Sequence, residues 1–255
     1  MYISTRGNSE PVTAAKAIYL GMAPKGGLFV PESIPRLTLE NIGDMRDLDY
    51  PSLAAEILGL YLDDYSYEEI QECARKAYGD NFFHEDIAPL TLLEDQCAIL
   101  ELWHGPTAAF KDMALQVMPH LLSKAIAKEG RGEEVLILVA TSGDTGKAAL
   151  EGFKNIPGIR IAVFYPRDGV SKVQELQMTT TDGDNTYVIA VEGNFDDCQN
   201  GVKEIFGDEA LNQLLSSRGL QLSSANSINW GRLCPQIAYY FYSYLSLLQA
   251  DCLKL

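Results

Sequence analysis

The stretch EVLILVATSGDTGKAAL, residues 134–150, decides the class of fold. A short apolar strand, EVLILV, runs into a loop of glycine and hydroxyl residues, and that loop opens a helix. The same alternation recurs outward from it. AILELW (98–103), IRIAVFY (159–165) and TYVIAV (186–191) are further apolar runs, and helical segments begin near Lys111, Thr145, Ser171 and Asp196. Strands alternating with helices predict an α/β layer with a largely parallel sheet flanked by helices. GLQLSSANSIN (219–229) and the tyrosine-rich helix WGRLCPQIAYYFYSYLSLLQ (230–249) extend it.

Residues 1–92 read differently, as a helical N-terminal domain. EPVTAAKAIYLGM (10–22), PSLAAEILGLYL (51–62) and SYEEIQECARKAYG (66–79) are helical stretches, and APKGGLFVPESIP (23–35) is a glycine- and proline-rich loop. Residues 93–255 are then the α/β region. QADCLKL (249–255) directly follows a long helix that the alternation would feed into another strand. The chain therefore reads as the front part of something longer, needing a C-terminal half or a partner chain.

Composition narrows the function. The apolar content of 47% suits a packed core, and the formal charge of −15, from 35 acidic against 20 basic residues, has no basic block to interrupt it. That balance argues against nucleic acid and against docking on an acidic membrane, so an anionic ligand must be held by local groups. Cys73, Cys97, Cys198, Cys234 and Cys252 are scattered without a C-x-x-C pair, and His84, His104 and His120 lie too far apart for a sequence-evident metal site. Reduced thiols, the lack of an apolar leader in MYISTRGNSE and the lack of a bilayer-length apolar run point to the cytoplasm.

Candidate chemistry collects where loops follow strands, at the carboxyl ends of an open α/β sheet. In ATSGDTGKAAL the backbone N–H groups and the hydroxyls of Thr141, Ser142 and Thr145 suit a carboxylate or phosphate, while the plainer alternative is a turn capped by Thr145 or Asp144. It is not a nucleotide P-loop: Thr141 stands where the first glycine belongs, and Ala148 replaces the hydroxyl after Lys147. VEGNFDDCQ (191–199) is better read as a helix cap, since Asp196 and Asp197 repel phosphate. SSANSIN places Asn226, Ser227 and Asn229 close to Arg232, a bidentate clamp for an anion or else part of an ordinary cap. Lys172 beside Ser171 is open to the same two readings.

Between strand and helix lies HGPTAAFKDMALQ (104–116), where Lys111 follows a Gly-Pro turn and precedes DMALQVMPHLLSKAIAK. Taken alone it is a solvated lysine. Among anion-binding loops, with no metal cluster and no histidine–serine pair, it becomes the candidate reactive group. An amine of this kind attacks a carbonyl, and pyridoxal phosphate is the cofactor that most often asks for one.

YISTRG, GMAPKGGLFVPE, HGPTAAFKDMALQ, VATSGDTGKAAL, VFYPRDGVSKVQELQMTT, EGNFDDCQNGVK and SSANSINWGRLCPQIAYYF, in this order, resemble the threonine synthase family, pyridoxal-phosphate enzymes of the tryptophan-synthase-β-like fold. The resemblance implies conversion of O-phosphohomoserine and water to threonine and phosphate by γ-elimination and β-hydration. It implies that Lys111 forms the Schiff base with pyridoxal 5'-phosphate, that Asp144 lies near the cofactor ring's hydroxyl, and that Ser142, Gly143 and Thr145 receive the amino-acid carboxylate. Lys172, Asn229 and Arg232 are the candidates for the substrate phosphate. The family's glycine-rich cup for the cofactor phosphate follows the next strand, so residues 1–255 alone are expected not to turn over. A related phospholyase giving 2-oxobutyrate and a non-catalytic remnant are the competing readings.

Overall fold

In the computed structural model, residues 1–255 are described except for 25, 94–96, 251 and 253–255, so most of QADCLKL and one position of the APKGGLFVPESIP loop lie outside the described residues. The chain runs β1 (Tyr2–Ser4), α1 (Ala14–Leu20), β2 (Phe29–Pro31), α2 (Leu39–Asp44), α3 (Tyr50–Gly59), α4 (Tyr67–Ala77), β3 (Leu90–Leu92) and β4 (Ala98–Leu100). It continues as α5 (Asp112–Leu115), α6 (Met118–Glu129), β5 (Glu134–Ala140), α7 (Asp144–Phe153), β6 (Ile159–Pro166), α8 (Lys172–Thr179) and β7 (Thr186–Val191). It closes with α9 (Phe195–Gly207), α10 (Glu209–Ser217), β8 (Leu220–Ser224), α11 (Trp230–Leu233) and α12 (Pro235–Gln249).

The main sheet has four parallel strands in the order β7-β6-β5-β8. Its last strand in sequence lies beside its first, so β5 is flanked on both edges. Side chains alternate across it, as the two-residue period of a strand requires. Val135, Ile137 and Val139 join Ile161 and Val163 in the larger core with residues of α5, α6 and α7, whereas Leu138 and Ala140 join Ala162 and Leu222 beneath Cys198 and Val202 of α9. The larger core continues without a break into the N-terminal helices, where Ile18, Leu53, Ile57 and Ile70 are buried with Leu121, Leu122 and Trp230. Helical region and sheet region thus share one interior.

Three local features depart from the sequence reading. The AILELW run supplies β4, which pairs antiparallel with β3 in a separate hairpin and takes no part in the parallel sheet. The glycine- and proline-rich loop contains β2, paired antiparallel with β1. The segment after Lys111 is two helices, α5 and α6, because Pro119 at the start of α6 has no N–H to give and its ring crowds the carbonyl of residue 115. The Leu115 carbonyl is thereby turned toward α7, and α7 approaches it through Gly152, where an added Cβ would stand 2.1 Å from that oxygen.

Candidate active site

The carboxyl end of β5 gives way to the loop Thr141–Gly143. Thr141 is buried, and its hydroxyl oxygen accepts N–H bonds from Gly143 and Gly146, each at 2.9 Å. Its hydroxyl is thus part of the loop's own frame. Gly143 precedes α7 with φ of 131°, backbone that a side chain would strain, so the tight entry to the helix depends on glycine there. The exposed Ser142 and half-buried Thr145 leave their hydroxyls unengaged by the described residues, beside the amide-rich N-terminus of α7.

From the other side the 104–111 loop brings in Lys111. The buried carboxylate of Asp112 closes this loop, accepting bonds from the Thr107 backbone N–H and the Thr107 hydroxyl, both at 2.8 Å. Burial pushes the Asp112 carboxyl up from the ordinary aspartate value against those bonds. Ala108 in the same loop holds φ of 53°, a conformation costly for alanine and sustained by the surrounding bonds. Lys111 itself is 21% exposed, with Nζ 4.3 Å from the centroid of the Phe110 ring and 3.5 Å from Asp144 Oδ2. It is an accessible amine with a loosely held counter-charge.

Asp144 joins the two sides. Its Oδ1 accepts from Gln174 Nε2 at 2.9 Å and lies 3.2 Å from Lys147 Nζ, which leaves Oδ2 facing Lys111. Partial burial raises the Asp144 carboxyl, but the Gln174 amide and the Lys147 ammonium outweigh it, with Lys111 adding to them, and hold it below the usual value. Gln174 is itself fixed, since its Oε1 accepts from the Ser171 N–H and hydroxyl in the capping box of α8. Lys147 and Gln174 were not among the candidates read from sequence. The S-x-x-Q spacing signals the cap, but no local pattern signals that the same glutamine crosses to α7.

The last strand closes the floor. Asn226 clasps the end of β5 as a neighbouring strand would, its Oδ1 accepting from Ala140 N–H at 3.3 Å and its Nδ2 donating to Ala140 O at 2.9 Å. Asn229 is buried and fully bonded: its Nδ2 donates to Ile18 O and Ser224 O, and its Oδ1 accepts from Gly231 N–H. Arg232 is 2% exposed; one Nη donates to Ala225 O at 3.5 Å, and Nε has no partner among the described residues. Burial lowers its guanidinium to about 10, against the pull of Tyr239 and Asp112. Lys172 lies elsewhere, 74% exposed and paired with Glu175 at 2.8 Å. The structure therefore brings together Lys111, Asp144 and the Ser142–Thr145 loop, and gives Lys172 and Asn229 other partners.

Residues 1–78 match the family model described as threonine synthase N terminus. A threonine synthase from Pseudomonas aeruginosa is 44% identical over 250 residues, 96% of this chain and 51% of that protein. The chain is a threonine synthase relative. A second, from Schizosaccharomyces pombe, is 39% identical over 96% of this chain and 48% of its own length. Among solved structures, PLP-bound threonine synthase from Brucella melitensis superposes with a TM-score of 0.86 at 40% identity, covering 96% of this chain and 52% of that one. The chain thus spans about half the length of the threonine synthases it matches. No described helix is long and apolar enough to cross a membrane.

Proposed function

We propose that this chain supplies the cofactor lysine and the carboxylate-receiving loop of a threonine synthase, a carbon–oxygen lyase that takes O-phosphohomoserine and water to threonine and phosphate with pyridoxal 5'-phosphate. One observation carries the reading: an accessible lysine amine, 3.5 Å from a carboxylate at the N-terminus of α7, in a chain 40% identical to a PLP-bound threonine synthase. The donor set fits such a cofactor, because an amine suits its aldehyde, and hydroxyls with a helix N-terminus suit an anionic substrate beside it. Bound there, the cofactor supplies an electron sink for carbanionic charge. The chain's residues supply the rest.

Lys111 would hold the cofactor through its amine and would move protons at the substrate's α- and β-carbons from the same position. Ser142, Gly143 and Thr145 receive the substrate carboxylate. Asp144, its carboxyl held below the usual value and 3.5 Å from Lys111, would face the cofactor's ring hydroxyl. For the substrate phosphate we retain Arg232, whose Nε is a buried donor without a partner among the described residues. Five unpaired thiols accord with a cytoplasmic setting.

Borohydride reduction of the chain with pyridoxal phosphate, followed by peptide mapping, tests the reading. Label is expected on Lys111; label confined to Lys147 or Lys172 overturns it. The loop assignment makes a separate expectation. In the complete enzyme, Ser142→Ala and Thr145→Ala should each lower kcat/KM by the equivalent of about 1–3 kcal/mol of transition-state binding, the cost of losing one hydrogen bond to the substrate. Unchanged kcat/KM in both variants would return the loop to a purely structural role.

A further inference from the structure

Lys147 occupies a place that folding alone does not explain. It is 8% exposed and lies in the first turn of α7, where the helix dipole opposes a cation and burial penalises any charge. What offsets this is a pair of carboxylates. Asp144 Oδ1 is 3.2 Å from its Nζ, and the buried Asp112 carboxylate feels its positive charge as well. These are the two carboxylates that flank Lys111, one across the gap from its amine and one next to it in sequence.

We propose that Lys147 is a positioning residue, the standing counter-ion of Asp144, which keeps that carboxylate paired when Lys111 gives up its charge to react. The inference rests on the reading of Lys111 as the cofactor lysine. A lysine amine attacks a carbonyl only when unprotonated. If Lys111 were the sole cation near Asp144, losing its proton would strand a partly buried carboxylate, and the proton would be held more tightly for that reason. With Lys147 in place the carboxylate retains a partner. The groups facing this pair are few: Lys111 and Asp112 from α5, Asp144 from α7 itself and the uncharged Gln174 from α8, with Arg232 acting on Asp112 from α11. Glu175 of α8 is engaged with Lys172.

The sign of the effect follows. Removing the Lys147 charge leaves Lys111 as the nearest cation to the Asp144 carboxylate, which then favours the protonated amine. Attachment of pyridoxal phosphate, trapped by borohydride and mapped to Lys111, should then require higher pH. For Lys147→Met the half-trapping pH is expected to rise by about one unit, the scale on which a neighbouring charge moves a titration. Lys147→Arg, which keeps the charge, should hold the parent midpoint. Lys147→Met combined with Asp144→Asn should return toward it. A structural role alone would lower the melting temperature without moving the midpoint. Should Lys147→Met fail to fold, Lys147→Gln carries the same expectation. A midpoint in the uncharged variant equal to that of the parent overturns the proposal, whereas a parent chain that is never labelled at Lys111 overturns the reading beneath it.

Discussion

On the proposed reading, alanine at position 111 of a complete threonine synthase carrying this chain should leave no pyridoxal phosphate attached after borohydride and lower turnover of O-phosphohomoserine by about 10³-fold or more. The size follows from what the proposed function asks of one amine, to anchor the cofactor and transfer protons at two carbons, since a positioned acid–base group is typically worth about 10²–10⁴ by itself. Lys147 offers no substitute, because its ammonium is buried against Asp144. Folding is not expected to suffer. Lys111 is 21% exposed and makes one long ion pair, so its removal should change stability by no more than about 0.5 kcal/mol. Turnover in Lys111→Ala within tenfold of the parent would refute its assignment, and an unaltered melting curve would show that the loss is chemical.

A second large effect is expected far from any ligand. Gly152→Ala should destabilise the chain by about 2 kcal/mol or more, although helix propensity alone predicts a gain of up to about 1 kcal/mol for replacing a glycine in the last turn of a helix. The collision decides the sign. An alanine Cβ would sit 2.1 Å from the Leu115 carbonyl oxygen, well inside contact distance and against backbone that cannot rotate away. Overpacking of this kind costs about 1–3 kcal/mol, occasionally more, and here it must push α7 off α5. Urea denaturation measures it; a midpoint equal to or above the parent's would mean that the helices separate freely. Since α5 follows Lys111 and α7 begins at Asp144, the variant should also loosen the pair that the site is built on.

The strand–loop–helix unit around residues 134–150 was legible because every local signal agrees: apolar run, glycine-eased turn, amphipathic helix. Lys111 stood out by its place after a Gly-Pro turn, and the motifs around it named the family. What sequence concealed is of two kinds. Two short elements without a fully buried residue, α2 and α10, went unread, although their caps announce them, Thr38 with Asn41 and Asp208, and Leu211, Leu214 and Leu215 recur at helical spacing in α10. The β4 run looks like any other strand, for an apolar run does not specify its neighbour. The second kind is contact across elements. That Gln174 and Lys147 meet at Asp144 depends on how α8 lies on α7, and no spacing encodes it. The Pro119 signal was visible throughout, yet a helical apolar pattern that continues on both sides hides the break between α5 and α6.

Asn226 sets a schedule for the nascent chain. The carbonyl and amide of Ala140 that it clasps leave the ribosome 86 residues before it does, an interval of roughly 4–17 s at about 5–20 residues per second. The Ile18 carbonyl waits longer still, for Asn229, 211 residues later in the chain. During synthesis, then, one flank of β5 keeps its backbone donors and acceptors unpaired, and the Thr141–Gly143 turn hangs from a strand end not yet tied. A cell making this protein must shield that flank for many seconds, so its yield should respond to chaperone supply and to translation speed between residues 140 and 226 before it responds to anything in the finished site.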